Sequence, residues 1–166
     1  MIRKKFLAFF LFLLGLDIAS KLAAIHWIPP LAFGDYPYGG IGAFSDFFGV
    51  SFSLNYTVNT GAAWGVFSGH SGLLFALRTV VILGLISYLL FFRREETPQF
   101  ALWVVATGAI GNALDYIFYR HVIDFFHFVF WGYSFPIFNL ADSYITLGVV
   151  GLVLLSRKAK KPLRVL

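Results

Sequence analysis

The chain has 166 residues, 59% of them hydrophobic and 13% charged, with a net charge of +5, no cysteine and a mean hydropathy of +0.80. A soluble domain carries roughly 45–50% apolar and about 25% charged residues, so this composition excludes an ordinary soluble fold and asks for a bilayer. The missing cysteine excludes disulfides, cysteine-ligated zinc and thiol catalysis, and the length leaves room for a single domain over residues 1–166.

Four apolar stretches, near residues 6–27, 71–92, 100–119 and 137–156, are long enough to cross hydrocarbon as helices of about 20 residues. The first follows Arg3-Lys4-Lys5 and has the outline of a signal peptide. Asp17 and Lys21 interrupt its far end and three further spans follow, so it is expected to stay as a helix. Asp17 and Lys21 stand i, i+4, the spacing of an intrahelical ion pair. At ~1.5 Å per residue from Lys5, Asp17 lies about 18 Å up the helix, in its outer half. The segment 28–70 is rich in Pro and Gly, then reads Phe47-Phe48-Gly49-Val50-Ser51-Phe52-Ser53-Leu54, which predicts a short sheet or hairpin on the membrane surface. Asn59-Thr60-Gly61 is turn chemistry. The small residues Gly61, Ala62 and Ala63 fit either a plain structural turn or a close approach by a ligand.

In the third span Gly108, Gly111, Asn112 and Asp115 share one helical face, on which the glycines admit a close neighbour and the polar pair points into the protein. Asp124 follows within Val122-Ile123-Asp124-Phe125-Phe126. The fourth span opens Phe138-Asn139-Leu140-Ala141-Asp142, where Asn139 suits an N-cap and Asp142 completes a capping-box pattern. Ten of the thirteen Lys and Arg lie in three clusters, at residues 3–5, 93–94 and 157–164, each against an apolar run. They read as topology signals and not as a nucleic-acid surface. Both termini and the middle loop fall on the cytoplasmic side, and the connections 28–70 and 120–136 face outward.

This layout brings Asp124 and Asp142 to one depth, near the outer boundary of the membrane. Ionisable groups within apolar segments are expensive, by about 2.5–3.5 kcal/mol on insertion scales, and capping alone explains Asp142 but not Asp124. Two adjacent carboxylates share a proton, so one serves as base and the other as acid toward a water-attacked amide. The four histidines, His26, His70, His121 and His127, lack zinc-site spacing, and Ser20, Ser143 and Ser156 lack a nucleophile context. A small carrier or ion-coupled transporter with buried Asp residues is the alternative, and a non-catalytic scaffold is a third reading. Broken helices or paired repeats would mark a carrier, and the sequence displays neither.

Taken in order, Asp17-x-x-Ser20-Lys21, Asn59-x-Gly61-Ala62-Ala63-Trp64-Gly65, Gly111-Asn112-x-x-Asp115, Val122-x-Asp124-Phe125 and Phe138-Asn139-Leu140-Ala141-Asp142 resemble the lipoprotein signal peptidases (signal peptidase II) over nearly the whole chain. The resemblance implies a mainly α membrane protein: four transmembrane helices, with a small β-cradle between helices 1 and 2. It implies an aspartic endopeptidase of the bacterial inner membrane that removes the signal peptide of prolipoproteins, before a diacylglyceryl-modified cysteine, without metal or other cofactor. Asp124 and Asp142 then match the catalytic pair. Asn59, Gly61, Asn112, Asp115, Asn139, Ala141, Asp17 and Lys21 match residues that bind substrate or support the site. Lipid-modified prolipoproteins and membrane lipids are the implied partners, nucleic acid is not, and the expected state is a monomer. One position departs from the family pattern: Tyr116 stands where an Arg usually follows the Asp of Gly-Asn-x-x-Asp, with Arg120 or Arg78 as candidates to replace its charge.

Overall fold

The computed structural model describes residues 4–30, 37, 39–60, 71–92 and 98–159. Helix α1 is Lys4–Trp27, α2 is Ser71–Ser87 with a π-helical continuation Tyr88–Phe92, α3 is Gln99–Tyr119 and α4 is Leu140–Ala159. Strands β1 (Ile41–Phe47), β2 (Val50–Asn59), β3 (Val122–Phe130) and β4 (Tyr133–Ser134) form one antiparallel sheet in that order.

Helix α1 reverses the usual distribution of residues. Asp17, Lys21 and Ala24 form its buried stripe, while Leu7, Phe9, Leu11, Phe12, Leu16, Ile18, Leu22 and Ile25 are exposed. Apolar area in water costs about 25 cal/mol per Å², a penalty that lipid removes. Leu7–Trp27 and Gln99–Tyr119 are each long and apolar enough to cross a membrane, and Phe75–Phe91 and Leu140–Leu155 are shorter apolar helices. Each expected span thus coincides with a helix, and passage across a membrane by length and composition holds for α1 and α3.

Helix α3 packs against α1, α2 and α4, and its small residues set the closeness. A Cβ added at Gly108 would run into the Ala141 carbonyl oxygen, and one at Gly111 into Asp17 Oδ2. Any larger side chain at either place would push α4 or α1 away from the polar residues they bring.

The sheet differs from expectation in one respect. It does not arise only between helices 1 and 2, because β3 and β4 come from the connection between α3 and α4. Val122–Phe130 is a β-branched and aromatic run, but a strand needs a partner, and β2 lies more than sixty residues earlier in the chain. Hydropathy reads only local sequence and registers this run as a loop carrying Asp124. Between Leu54↔Phe126 and Thr57↔Asp124 the register slips, so Asn55 and Tyr56 oppose Phe125 alone, a bulge. Ala24, Ile28, Ile123 and Phe125 form a small buried core that joins the end of α1 to the sheet, with Leu54, Tyr56 and Phe126 packed on it. At the far end, the β1–β2 turn at Phe48-Gly49 and the β3–β4 turn at Trp131-Gly132 lie side by side, the Trp131 N–H donating to the Gly49 carbonyl at 2.6 Å.

Candidate active site

The site is assembled where α1, α3, β3 and the start of α4 meet, and the α4 N-terminus organises it. The first turn of a helix leaves N–H groups without intrahelical partners. Here Asn139 Oδ1 accepts the Asp142 N–H at 2.9 Å, and Asp142 Oδ2 accepts the Asn139 N–H at 3.2 Å, a reciprocal cap with Asp in place of the usual Glu or Gln. The Ala141 N–H donates to Asp17 Oδ1 of α1 at 2.9 Å. The segment entering α4 is also pinned to β3, since Phe138 O accepts the Phe126 N–H at 2.8 Å and the Phe138 N–H returns to Phe126 O at 3.1 Å. Asp124 and Asp142 are thereby tied together through backbone as well as side chains.

Asn139 touches both carboxylates. Its Nδ2 donates to Asp124 Oδ1 at 2.7 Å, to the Ile123 carbonyl at 3.1 Å and to Asn112 Oδ1 at 3.1 Å. Asn59, at the end of β2, donates to the other Asp124 oxygen at 2.9 Å. Asn112 donates from Nδ2 to Asp142 Oδ1 at 2.8 Å. Asp124 is 1% exposed, whereas Asp142 is half-buried. Burial first, and then the neighbouring Asp142 carboxylate, push Asp124 up to about 7 despite the amides of Asn59 and Asn139.

Lys21 lies behind this pair. Its ammonium contacts Asp17 Oδ2 and Asp115 Oδ2, both at 2.8 Å, and Asn112 Oδ1 at 3.1 Å. The expected ion pair within α1 is present, and it is one part of a larger junction. Asp115 also accepts the Ile123 N–H at 3.2 Å, which fixes the chain one residue before Asp124. The Ser20 hydroxyl is spent within α1, on the Asp17 carbonyl at 2.8 Å.

A sequence profile of the signal peptidase II (SPase II) family matches residues 9–157. The chain belongs to the signal peptidase II family. Lipoprotein signal peptidase from Chlamydia caviae is 39% identical over 154 residues, covering 88% of this chain and 87% of that one. The Chlamydia pneumoniae lipoprotein signal peptidase is 48% identical over 105 residues, 62% of each chain. In fold the chain is similar to a bacterial membrane enzyme solved by the in meso method at 2.3 Å resolution, with a TM-score of 0.75 and 24% identity over 99% of this chain and 96% of that one.

Of the site residues expected for a signal peptidase II, Asp17, Lys21, Asn59, Asn112, Asp115, Asp124, Asn139, Ala141 and Asp142 converge in one hydrogen-bonded group. Gly61 lies outside the described residues. Tyr116, at the departing position, stacks on Phe75 of α2 with ring centroids 4.5 Å apart and planes 17° apart. Arg120 is exposed and ends α3 in a left-handed conformation, and Arg78 is half-buried on α2. His127, whose spacing does not fit a zinc site, takes a different part. It is fully buried beneath the sheet, 3.1 Å from Asn55 Nδ2 through Nδ1 and 2.8 Å from Ser134 Oγ through Nε2, and burial pushes its imidazole down toward the neutral form. Its place among apolar neighbours on alternate positions of a strand was the available signal.

Proposed function

We propose that this member of the signal peptidase II family is an aspartic endopeptidase that removes the signal peptide from diacylglyceryl-modified prolipoproteins, cutting just before the lipidated cysteine. The observation that carries the reading is the Asn139 bridge. The Asn139 side chain donates from Nδ2 to Asp124 and accepts the Asp142 N–H at Oδ1, while its backbone N–H donates to the Asp142 carboxylate, so one residue joins two carboxylates from different elements. Asp124, raised to about 7 by burial and by Asp142, still carries a proton in about half of the molecules at neutral pH and acts as the acid. Asp142, at the partially positive end of α4, is assigned as the base. Water attacks the scissile carbonyl carbon and gives a proton to Asp142. The Asp124 proton goes to the carbonyl oxygen, and the C–N bond then breaks as Asp142 passes its proton to the amine and the collapsing diol returns one to Asp124. The products are a signal-peptide carboxylate and the free amine of the modified cysteine.

In this reading four spans place both termini in the cytoplasm and the site near the outer face of the bacterial inner membrane. The continuous helical run from Ser71 to Phe92 and the clustering of basic residues support that arrangement. Reporter fusions after Glu96 are expected inside and after Trp131 outside, and the reverse pattern would reject it. For the activity itself, purified protein in detergent is given a diacylglyceryl-modified precursor peptide and the products are weighed. Release of a fragment ending just before the modified cysteine is expected. No cleavage by folded protein, or cleavage elsewhere, overturns the reading.

A further inference from the structure

Lys21 lies in α1, away from the reacting carboxylates, and Asn112 links the two. Amide oxygen and nitrogen are nearly equal in size, so the shape of a pocket does not decide which way an asparagine turns. Its partners decide. An ammonium only donates, so the Asn112 atom 3.1 Å from Lys21 Nζ is the oxygen. Asn139 Nδ2 donates to the same oxygen at 3.1 Å, and Asn139 has no freedom to turn because its own oxygen caps α4. With Asn112 Oδ1 committed to these donors, Nδ2 is left facing Asp142 Oδ1 at 2.8 Å. Turned over, the amide would set donors against donors on one side and oxygen against carboxylate on the other.

We infer that Lys21 is a positioning residue for the aspartate pair: acting through Asn112, its ammonium fixes which side of that amide faces Asp142 and so sets a hydrogen-bond donor against Asp142 Oδ1. The inference rests on the reading of Asp124 and Asp142 as the acting pair. Lys21 is well placed to hold this orientation. It is 2% exposed, and its other two contacts are carboxylates that reach onward to both halves of the pair. Asp17 binds the Ala141 N–H beside Asp142, and Asp115 binds the Ile123 N–H beside Asp124. Among the described residues, the charged groups that reach the pair are Asp17 and Lys21 from α1 and Asp115 from α3. With Asp142 held on both oxygens, by Asn112 and by the Asn139 N–H, its carboxylate plane is fixed.

The test is a double-mutant cycle on kcat, with full-length protein in detergent and the lipidated precursor peptide. Lys21→Gln and Asn112→Ala are each expected to lower kcat by about 10–100-fold, the loss typical of one hydrogen bond to a charged group, with KM within threefold. In the double variant the Lys21→Gln change should cost clearly less than it does alone, because the amide through which it acts is gone and only its contacts with Asp17 and Asp115 remain to be lost. A lysine with a merely structural role would multiply its loss onto that of Asn112→Ala, and such additive losses overturn the inference. Should Lys21→Gln not fold, Asn112→Leu answers with Lys21 in place. Its side chain is close in shape to that of Asn and offers no donor to Asp142, so a loss equal to that of Asn112→Ala is expected and wild-type kcat overturns the inference. Cleavage by Asp124→Asn or Asp142→Asn would instead remove the reading of the pair. Additive losses with both of those variants inactive remove only the role of Lys21.

Discussion

The two ends of the sheet obey different rules. Where β2 and β3 meet the helices, the side chains of Asn59, Asn112, Asp115, Asp124, Asn139 and Asp142 hold one another in a single network with Asp17 and Lys21. At the other end, Phe48 and Trp131 occupy left-handed turn positions, with φ of 52° and 47°, and are 83% and 78% exposed. The turns there are aligned by backbone, through Trp131 N–H to Gly49 O, and the Trp131 ring lies where a Cβ on Gly49 would stand. In the centre a residue is fixed by what its neighbours can donate or accept, so one change spreads through the network. At the tip the backbone fixes the shape, so a side-chain change should stay local.

The sharpest way to break this comparison is at the pair itself. Asp124→Asn and Asp142→Asn are each expected to lower cleavage by at least about 10²–10⁴-fold, the usual contribution of a general acid or base, with circular dichroism unchanged. The double variant should be little worse, because the two act as one unit. Substantial cleavage by either single variant would show that the centre does not depend on both carboxylates.

Proton release from Asp124 gives the next largest effect. With Asp124 held up to about 7 by burial and by Asp142, cleavage should fall as pH rises through about 7, where the acid loses its proton. The sign for stability follows from linkage. The unfolded chain releases this proton near 4 and the native protein only near 7, so the native state binds more protons between those values and loses stability as pH rises across them. Asp124→Asn lacks this titration. The gap between the two melting temperatures should therefore move in favour of the variant from pH 4 to pH 7 and hold constant above it. A gap that does not change with pH would show that Asp124 titrates in the native protein as it does in the unfolded chain.

Asp115→Asn tests the supporting layer. It removes one carboxylate from Lys21 while keeping an oxygen that can accept from Ile123. The expected outcome is a melting temperature lower by several degrees and cleavage reduced by about tenfold, but not abolished, consistent with a broken buried pair. Complete loss in a folded variant would move Asp115 into the chemistry. Tyr116→Arg is milder. It forfeits the stack on Phe75 and sets a cation in the α2–α3 contact, so stability should drop by about 1 kcal/mol with cleavage within about threefold. A rise in both would show that the position still welcomes a guanidinium. Least of all, Phe48→Asn puts at a left-handed turn position a residue that tolerates it. Stability should rise by no more than about 1 kcal/mol and cleavage stay within twofold, and a large loss of either would show that the tip is not local.

Much of the centre was legible because charge and amide groups are conspicuous inside apolar helices. Asp17, Lys21, Asn112 and Asp115 stood out by cost alone, and the cap at Asn139 and Asp142 by local spacing. What spacing could not convey is which partner each group chooses. Lys21 looked paired within its own helix at i, i+4, and its contacts with Asp115 and Asn112 depend on how closely Gly111 lets α1 approach α3. Strand β3 was missed for a related reason, since its pairing with β2 is set by contacts distant in sequence. His127 is marked only by its alternate position among Phe125 and Val129, and the partner it takes, Asn55, depends on a strand pairing distant in sequence.

The i, i+4 placement of Asp17 and Lys21 also bears on how the protein is made. A ribosome delivers α1 to the membrane before α3 exists, and a lone buried charge at that moment would be costly. Because Lys21 meets Asp17 one turn away at 2.8 Å, the helix can enter lipid electrically balanced as soon as it is wound. When α3 follows, Asp115 and Asn112 are added to a lysine that already has a partner. The pair thus works as a temporary counter-ion during insertion and as a foundation afterwards. Exchanging the two residues, Asp17→Lys with Lys21→Asp, would preserve the first service and destroy the second.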